Sequence, residues 1–230
     1  MTTYIVAFNA GISDVVKAEI QRVSPKAEIN PFYEMQSWLA VKNASLAQLL
    51  TLHSIEKVIE LARAFHFDKT LTDLEQQVAQ VAIPALAEST SFRVSCRRYG
   101  NHPFGSNEVQ VVCGRVLQEA YNTPVSLKDY DTHVRVDIMA RFAYVGIQHT
   151  SEKWGKRYYF SRFHRAGIRP SMAYALLQAS GIQLGQTLLD PFTGGGTIPI
   201  EAASLFGDSI KILGSDLYDE VIAQAIDNAW

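Results

Sequence analysis

Three consecutive glycines, Gly194, Gly195 and Gly196, stand between an apolar tetrapeptide, TLLD at 187–190, and IPIEAASLF at 198–206. No other stretch constrains the fold as much. The apolar residues ahead of the glycines read as a short buried strand, and the residues behind them read as a helix. Without Cβ atoms the turn between the two accepts left-handed backbone and lets a ligand approach the main chain. The N–H groups that open the helix favour a polar or anionic ligand group. A second strand, IKILGSD, ends in Asp216, 22 residues after Gly194. That spacing suits a carboxylate that accepts hydrogen bonds from two ribose hydroxyls.

Three nucleotide-like ligands compete for such a loop. A P-loop needs GK[ST], which is absent. A dinucleotide fingerprint needs G-x-G-x-x-G/A, and from Gly194 the run reads GGGTIP, with Pro199 where a small residue belongs. The third ligand is S-adenosylmethionine. For it, Asp190 at the end of the first strand faces the amino-acid part, the glycines pass beneath, and Asp216 holds the ribose. The expected donor site is Asp190, Phe192, Thr193, Gly194, Gly195, Gly196, Thr197, Asp216 and Leu217.

Charge is distributed unevenly. The overall formal charge is -2, but residues 1–90 carry -3, residues 91–170 carry +7, and residues 171–230 carry -6. A basic middle between acidic ends points to a polyanionic partner bound there. The two cysteines, Cys96 and Cys113, have no metal or disulfide spacing, and no histidine pairing suggests a metal. The start, MTTYIVAFNA, has neither a basic n-region nor a long apolar run, so a cytoplasmic protein with no membrane contact is expected.

Ahead of the glycine loop the elements follow from periodicity. TYIVAFN reads as a strand. ISDVVKAEIQRV reads as a helix with Ile12, Val15, Val16, Ile20 and Val23 on one face. Two short strands follow, then a helix capped by Ser45, then the strand KVIELARAFHF, giving the β-α-β-β-α-β order of a ferredoxin-like unit over 1–67. A second α+β unit covers 68–152. In it, Pro84 is expected to bend or end a helix through Leu71, Leu74, Val78 and Val81, and Ser106 or Asn107 to cap a helix through Val109 and Cys113. A basic linker, 153–169, leads to a helix opened by Pro170 and stopped at Gly181.

DPFTGGGTIPIEAA at 190–203 resembles the D-P-[FM]-C-G-[ST]-G-[TA]-x-x-I-E-A signature of Rossmann-like methyltransferases that modify exocyclic amines of RNA bases, with Thr193 at the usual cysteine position. FHRAGIRPSMAYALL at 163–177 is similar to the segment ahead of that signature. The whole layout resembles the THUMP-containing RNA methyltransferases of the tRNA guanine-N2 branch. The fold implied is an α+β N-terminal part, ferredoxin-like plus THUMP, followed by the first portion of a Rossmann-like α/β domain over 170–230. The resemblance implies that S-adenosylmethionine is the cofactor and that RNA, at a tRNA acceptor region, is the partner. It directs attention to Arg93, Arg97, Arg98, Arg135, Arg141, Lys153, Lys156 and Arg157 as phosphate contacts, and to Tyr99, Phe104, Trp154, Tyr158 and Tyr159 as stacking groups. Methylation of another RNA base or of ribosomal RNA, and a non-catalytic RNA-binding protein, stay open beside it.

Such enzymes activate the acceptor amine with an N/D-P-P-aromatic loop. No Pro-Pro dipeptide occurs in the 230 residues, and Asn30-Pro31-Phe32-Tyr33 reads as a turn. A doubly wound sheet of two strands would leave an apolar edge unpaired. The expectation is therefore a fragment, inactive by itself, with the catalytic loop beyond Trp230 and no catalytic residue within.

Overall fold

The structure, a computed structural model, describes residues 2–33, 35–151, 154 and 167–229. By packing it divides into two compact units, Met1–Ile5 with Val58–His149, and Val6–Lys57 with Thr150–Trp230. The cuts fall inside the strands β1 (Tyr4–Phe8) and β4 (Ile55–His66). The first 57 residues are thus shared between the units, and most of them belong with the glycine loop.

The first unit is built on five paired strands among the described residues. β7 (Thr132–Met139) and β8 (Phe142–Gln148) form an antiparallel hairpin, and β4 joins the other side of β8. β5 (Phe92–Ser95) and β6 (Arg98–Tyr99) run parallel to β7 in succession. On one face of this sheet lie α3 (Leu71–Val78) and α5 (Ser106–Tyr121). Leu74, Val78, Val109, Cys113 and Leu117 pack there on Val134, Val136, Ile138, Ala143 and Val145. Strand alternation puts every second β7 residue into this core. Gly146 on β8 is sterically required. A Cβ there would lie 2.5 Å from the Glu60 carbonyl and 2.8 Å from Ile59 Cγ2.

Two local expectations are corrected in this unit. The α3 helix ends at Val78, well before Pro84, because Ala79 closes it and the chain turns; Pro84 instead sits at the N-cap of the short helix α4 (Ala85–Glu88). Neither Ser106 nor Asn107 caps α5. Gly105 holds that place, and the Glu108 carboxylate accepts its N–H at 2.7 Å. An acid at the third helical position satisfies the N–H of the N-cap residue, a donor that the helix itself leaves without a partner.

In the second unit β1 is followed by α1 (Ser13–Val23), the paired strands β2 (Glu28–Pro31) and β3 (Trp38–Lys42), and α2 (Leu46–Leu49). Ser45 caps α2 as expected, in a reciprocal box with Gln48. Asn30 and Pro31 lie in β2, and the Phe32 ring is buried against Trp38, so this tetrapeptide is structural. The same unit holds α6 (Pro170–Ser180), β9 (Thr187–Asp190), α7 (Thr197–Phe206), β10 (Lys211–Gly214) and α8 (Asp219–Ala229). Pro170 at the first helical position and left-handed Gly181 at the end bound α6 as the sequence implies.

β9 and β10 are parallel, Asp190 opposite Gly214, and α7 is the crossover between them. Leu188 and Ile212 pack with α6 and α7 around Leu177, Ala202 and Ile210. Leu189 and Leu213, pointing the other way, are 59% and 42% exposed. The strand TLLD is therefore buried on one face only. No helix among the described residues is long and apolar enough to cross a membrane.

Candidate functional site

The glycine loop is organised from both flanking strands. The Ser215 N–H donates to the Asp190 carbonyl at 2.9 Å, and the Thr193 N–H donates to the Ser215 carbonyl at 2.9 Å. These bonds carry the parallel pairing past the ends of β9 and β10 and into the loop. Asp216 Oδ2 then accepts the Gly194 N–H at 3.0 Å, and Asp190 Oδ1 accepts the Phe192 N–H at 3.2 Å. Both acids named from the sequence thus hold N–H groups of the loop. Each uses one carboxylate oxygen on the loop, and a carboxylate has about four acceptor positions.

The three glycines differ in role. Gly194 and Gly196 have φ of +52° and +86°, a region costly for side chains with a Cβ. A Cβ at Gly196 would lie 3.3 Å from both Ala225 and Ile200, and one at Gly195 would lie 3.4 Å from Asn228 Nδ2. Those two face protein. A Cβ at Gly194 would meet nothing within 4 Å, so that side of the loop is open. Asn228 on α8 donates to the Gly195 carbonyl at 3.0 Å. Its role is not apparent from the sequence; an amide near the end of a helix carries no motif of its own.

Thr193 is 8% exposed and lies against β10. A Cβ on Gly214 would come within 2.9 Å of its Oγ1. That hydroxyl is buried and has no hydrogen-bond partner among the described residues. A buried hydroxyl without a partner is costly unless something else supplies one. Phe192 and Leu217, 86% and 83% exposed, form an apolar rim, and Thr197 is buried at the first position of α7. Acceptors at Asp190 and Asp216, an open glycine side, a leftover hydroxyl and an apolar rim suit a ligand with ribose, charged and flat apolar parts.

The expected phosphate contacts in the first unit fare unevenly. Arg97 and Arg141 are exposed, Arg141 with a loose ion pair to Asp68 at 3.5 Å. Arg93 and Arg98 are half-buried, their guanidinium groups over the rings of Tyr130 and Phe104. Arg135 is a correction. It is 4% exposed, and its guanidinium binds both oxygens of the fully buried Asp137 at 2.7 and 2.8 Å, with Gln148 and Tyr144 completing the network. Burial and then the Asp137 charge push the Tyr144 phenol pKa up, so its hydroxyl stays a donor. Alternation on β7 sends Arg135 to the face opposite the apolar core, and that face is also covered. Phe104 is buried as well and offers no ring for stacking. Arg93 pairs with His133 and Arg98 with Ile138, five residues further along β7, so the arginines are spread over roughly 17 Å at about 3.3 Å per residue. Lys153, Lys156, Arg157, Tyr158 and Tyr159 lie outside the described residues.

Comparison with known proteins gives the class. Residues 68–148 match the THUMP domain, and residues 157–230 match the RMKL-like methyltransferase domain (UPF0020). The chain thus matches a THUMP domain and, after it, a methyltransferase domain. Among individual proteins it is 38% identical over 152 residues to the tRNA (guanine(6)-N2)-methyltransferase of Thermus thermophilus, covering 66% of this chain and 45% of that protein. It is 31% identical over 130 residues to the bovine tRNA (guanine(6)-N(2))-methyltransferase THUMP3, covering 56% and 26%. It is 30% identical over 143 residues to the mouse U6 snRNA (guanine-N(2))-methyltransferase THUMPD2, covering 61% and 26%. The chain spans less than half the length of each of these relatives. In structure it is similar to TrmN from Thermus thermophilus, with a TM-score of 0.82 at 29% identity over all of this chain and 69% of that one. SMU.472, a putative methyltransferase complexed with SAH, shares the fold with a TM-score of 0.78 at 19% identity over 99% and 71%.

Proposed function

We propose that this chain grips tRNA and holds S-adenosylmethionine for methyl transfer to an exocyclic base amine, guanine N2. The observation that carries the reading is the Asp216 carboxylate, which accepts the Gly194 N–H and so sits beside the open side of the glycine loop. Asp190, Thr193, Gly194, Asp216 and the rim residues Phe192 and Leu217 would hold the donor, with Gly195, Gly196 and Thr197 shaping the turn into α7. The bound donor supplies an electrophilic methyl on sulfur. The chain's own groups orient it by hydrogen bonds to the ribose and the amino-acid part.

RNA is assigned to the segment 68–152 and the basic linker 153–169, through Arg93, Arg97, Arg98, Arg141, Lys153, Lys156 and Arg157. Cations there neutralise phosphates and release counterions. The segments 1–67 and 170–230 are read as the ferredoxin-like and methyltransferase parts. An exocyclic guanine amine is a poor nucleophile, because its lone pair is delocalised into the ring. An N/D-P-P-aromatic loop that would accept its protons does not occur in residues 1–230. This stretch is accordingly expected to bind donor and RNA without turnover.

The direct test is calorimetry of the 230-residue chain with S-adenosylhomocysteine, alongside tRNA binding at several salt concentrations. Binding of the first and a steep salt dependence of the second are expected. A folded chain with no affinity for the nucleoside would sink the donor reading, and a flat salt response would sink the RNA assignment. A small nuclear RNA is the second candidate substrate, on the resemblance to the mouse relative. It belongs in the same binding series.

A further inference from the structure

α7 starts at the glycine loop, yet its buried side is not wholly apolar. Glu201, in its second turn, is fully buried beside Ala202 and the cluster around Leu177 and Ile210. A carboxylate in such a place needs a partner. It has one 148 residues earlier in the chain: His53 Nδ1 lies 2.8 Å from Glu201 Oε1.

His53 is itself held from two further sides. Its ring stacks on Tyr174 of α6, with centroids 5.4 Å apart and planes 29° apart. Its backbone N–H donates to Glu19 Oε1 at 2.8 Å, and Glu19 Oε2 accepts the Ser54 N–H at 2.9 Å and the Ser54 hydroxyl at 2.5 Å. Glu19, on α1, is 3% exposed, and Arg22 on the same helix donates to the Tyr174 hydroxyl at 3.2 Å. Burial, and next the Glu19 charge, push the Tyr174 phenol pKa up, so the hydroxyl stays protonated. Every member of this set belongs to the second compact unit. The imidazole is therefore fixed before it reaches α7, and it presents a directional contact rather than a mobile counter-charge. Apolar packing sets the distance of a helix from its support but leaves it free to slide or turn. One short polar bond to a rigid partner removes that freedom.

We infer that His53 and Glu201 are positioning residues for the donor loop: the pair fixes the rotation and height of α7, and with it the place of 194–196 relative to Asp190 and Asp216. This rests on the donor reading given above.

Three variants of the full chain separate positioning from bulk stability. In His53→Asn the amide nitrogen falls near the place of Nδ1, so the bond to Glu201 is kept while the stack on Tyr174 is lost. In His53→Phe the stack is kept and the donor is lost. Glu201→Leu removes the bond together with the buried carboxylate, and the His53 side chain left behind is 28% exposed and within reach of water. Calorimetry with S-adenosylhomocysteine is read beside hydrogen exchange of the unliganded chain over 190–203.

His53→Asn is expected to bind within about threefold of the parent chain. His53→Phe and Glu201→Leu are each expected to bind about tenfold or more weakly and to exchange faster over 190–203, with exchange in β7 and β8 unchanged. The inference is overturned if Glu201→Leu matches the parent in both readouts, or if His53→Asn is as impaired as His53→Phe. If His53→Phe does not fold, Glu201→Leu decides alone. If the parent chain does not bind the nucleoside at all, the donor reading fails, while the exchange measurements still decide whether the pair positions the loop.

Discussion

Replacing Asp216 tests the donor site most directly, and the geometry shows how to divide the effect. One carboxylate oxygen accepts the Gly194 N–H at 3.0 Å, and the other lies 3.4 Å from the Tyr218 N–H. Asp216→Ala removes the anchor of the loop and the proposed ribose acceptors together. Asp216→Asn keeps an oxygen for the Gly194 N–H but replaces the second acceptor with an amide donor. A hydrogen bond to a charged group contributes about 1.5–3 kcal/mol, and a half-exposed carboxylate belongs near the lower end. At about 1.4 kcal/mol per decade, Asp216→Asn should weaken S-adenosylhomocysteine roughly tenfold. Asp216→Ala should lose about tenfold more through the unanchored loop. Isothermal calorimetry measures both, and circular dichroism checks that each variant folds. Equal, parent-like affinities in the two variants would refute the ribose role. A normal affinity in Asp216→Asn alone would restrict Asp216 to holding the loop.

Four more outcomes are expected. Gly214→Ala should weaken nucleoside binding and cost about 1–3 kcal/mol in a thermal melt, because its Cβ would lie 2.9 Å from Thr193 Oγ1; adding Thr193→Ala should restore most of the loss. Gly146→Ala should unfold the first unit and abolish tRNA binding while the nucleoside still binds, since its Cβ would force β4 from β8. Arg135→Ala should cost about 3–5 kcal/mol in urea unfolding by leaving Asp137 buried and unpaired, whereas Arg97→Ala should leave stability alone and lower the salt slope of RNA binding by about one. Cys96 should resist alkylation at pH 8 in the folded chain and react at once in urea. Burial, then the nearby Asp137 charge, push its thiol up to about 12, so the thiolate is scarce until unfolding restores the ordinary value; fast labelling of the native chain would contradict this.

Much of this molecule is legible from local chemistry along the chain. Glycines at 194 and 196 take positive φ, Ser45 caps a helix, Pro170 and Gly181 bound one, and Asp190 and Asp216 each accept a loop N–H. Each of these signals acts within a turn or along one βα step, where residue type and spacing dictate the backbone. The expectation for α5 failed at the same range because the helix opens one residue earlier, at Gly105, whose N–H the Glu108 carboxylate accepts, and this leaves Ser106 and Asn107 inside the first turn.

The sequence alone determined that a strand, a glycine loop and a helix follow one another, and that an α+β unit with excess positive charge precedes them. Tertiary structure decided which charges are available. Arg135 and Arg97 have the same side-chain chemistry and both follow strand patterns, yet one is locked on Asp137 in the interior and the other reaches solvent. Strand parity gives a residue its face; only the packing of the whole sheet says whether that face meets water. The same holds for Glu201, a charge on a core-facing helical position. Its partner His53 was invisible at a separation of 148 residues, because a long-range pair leaves no local period or spacing, and only the folded chain brings the two together.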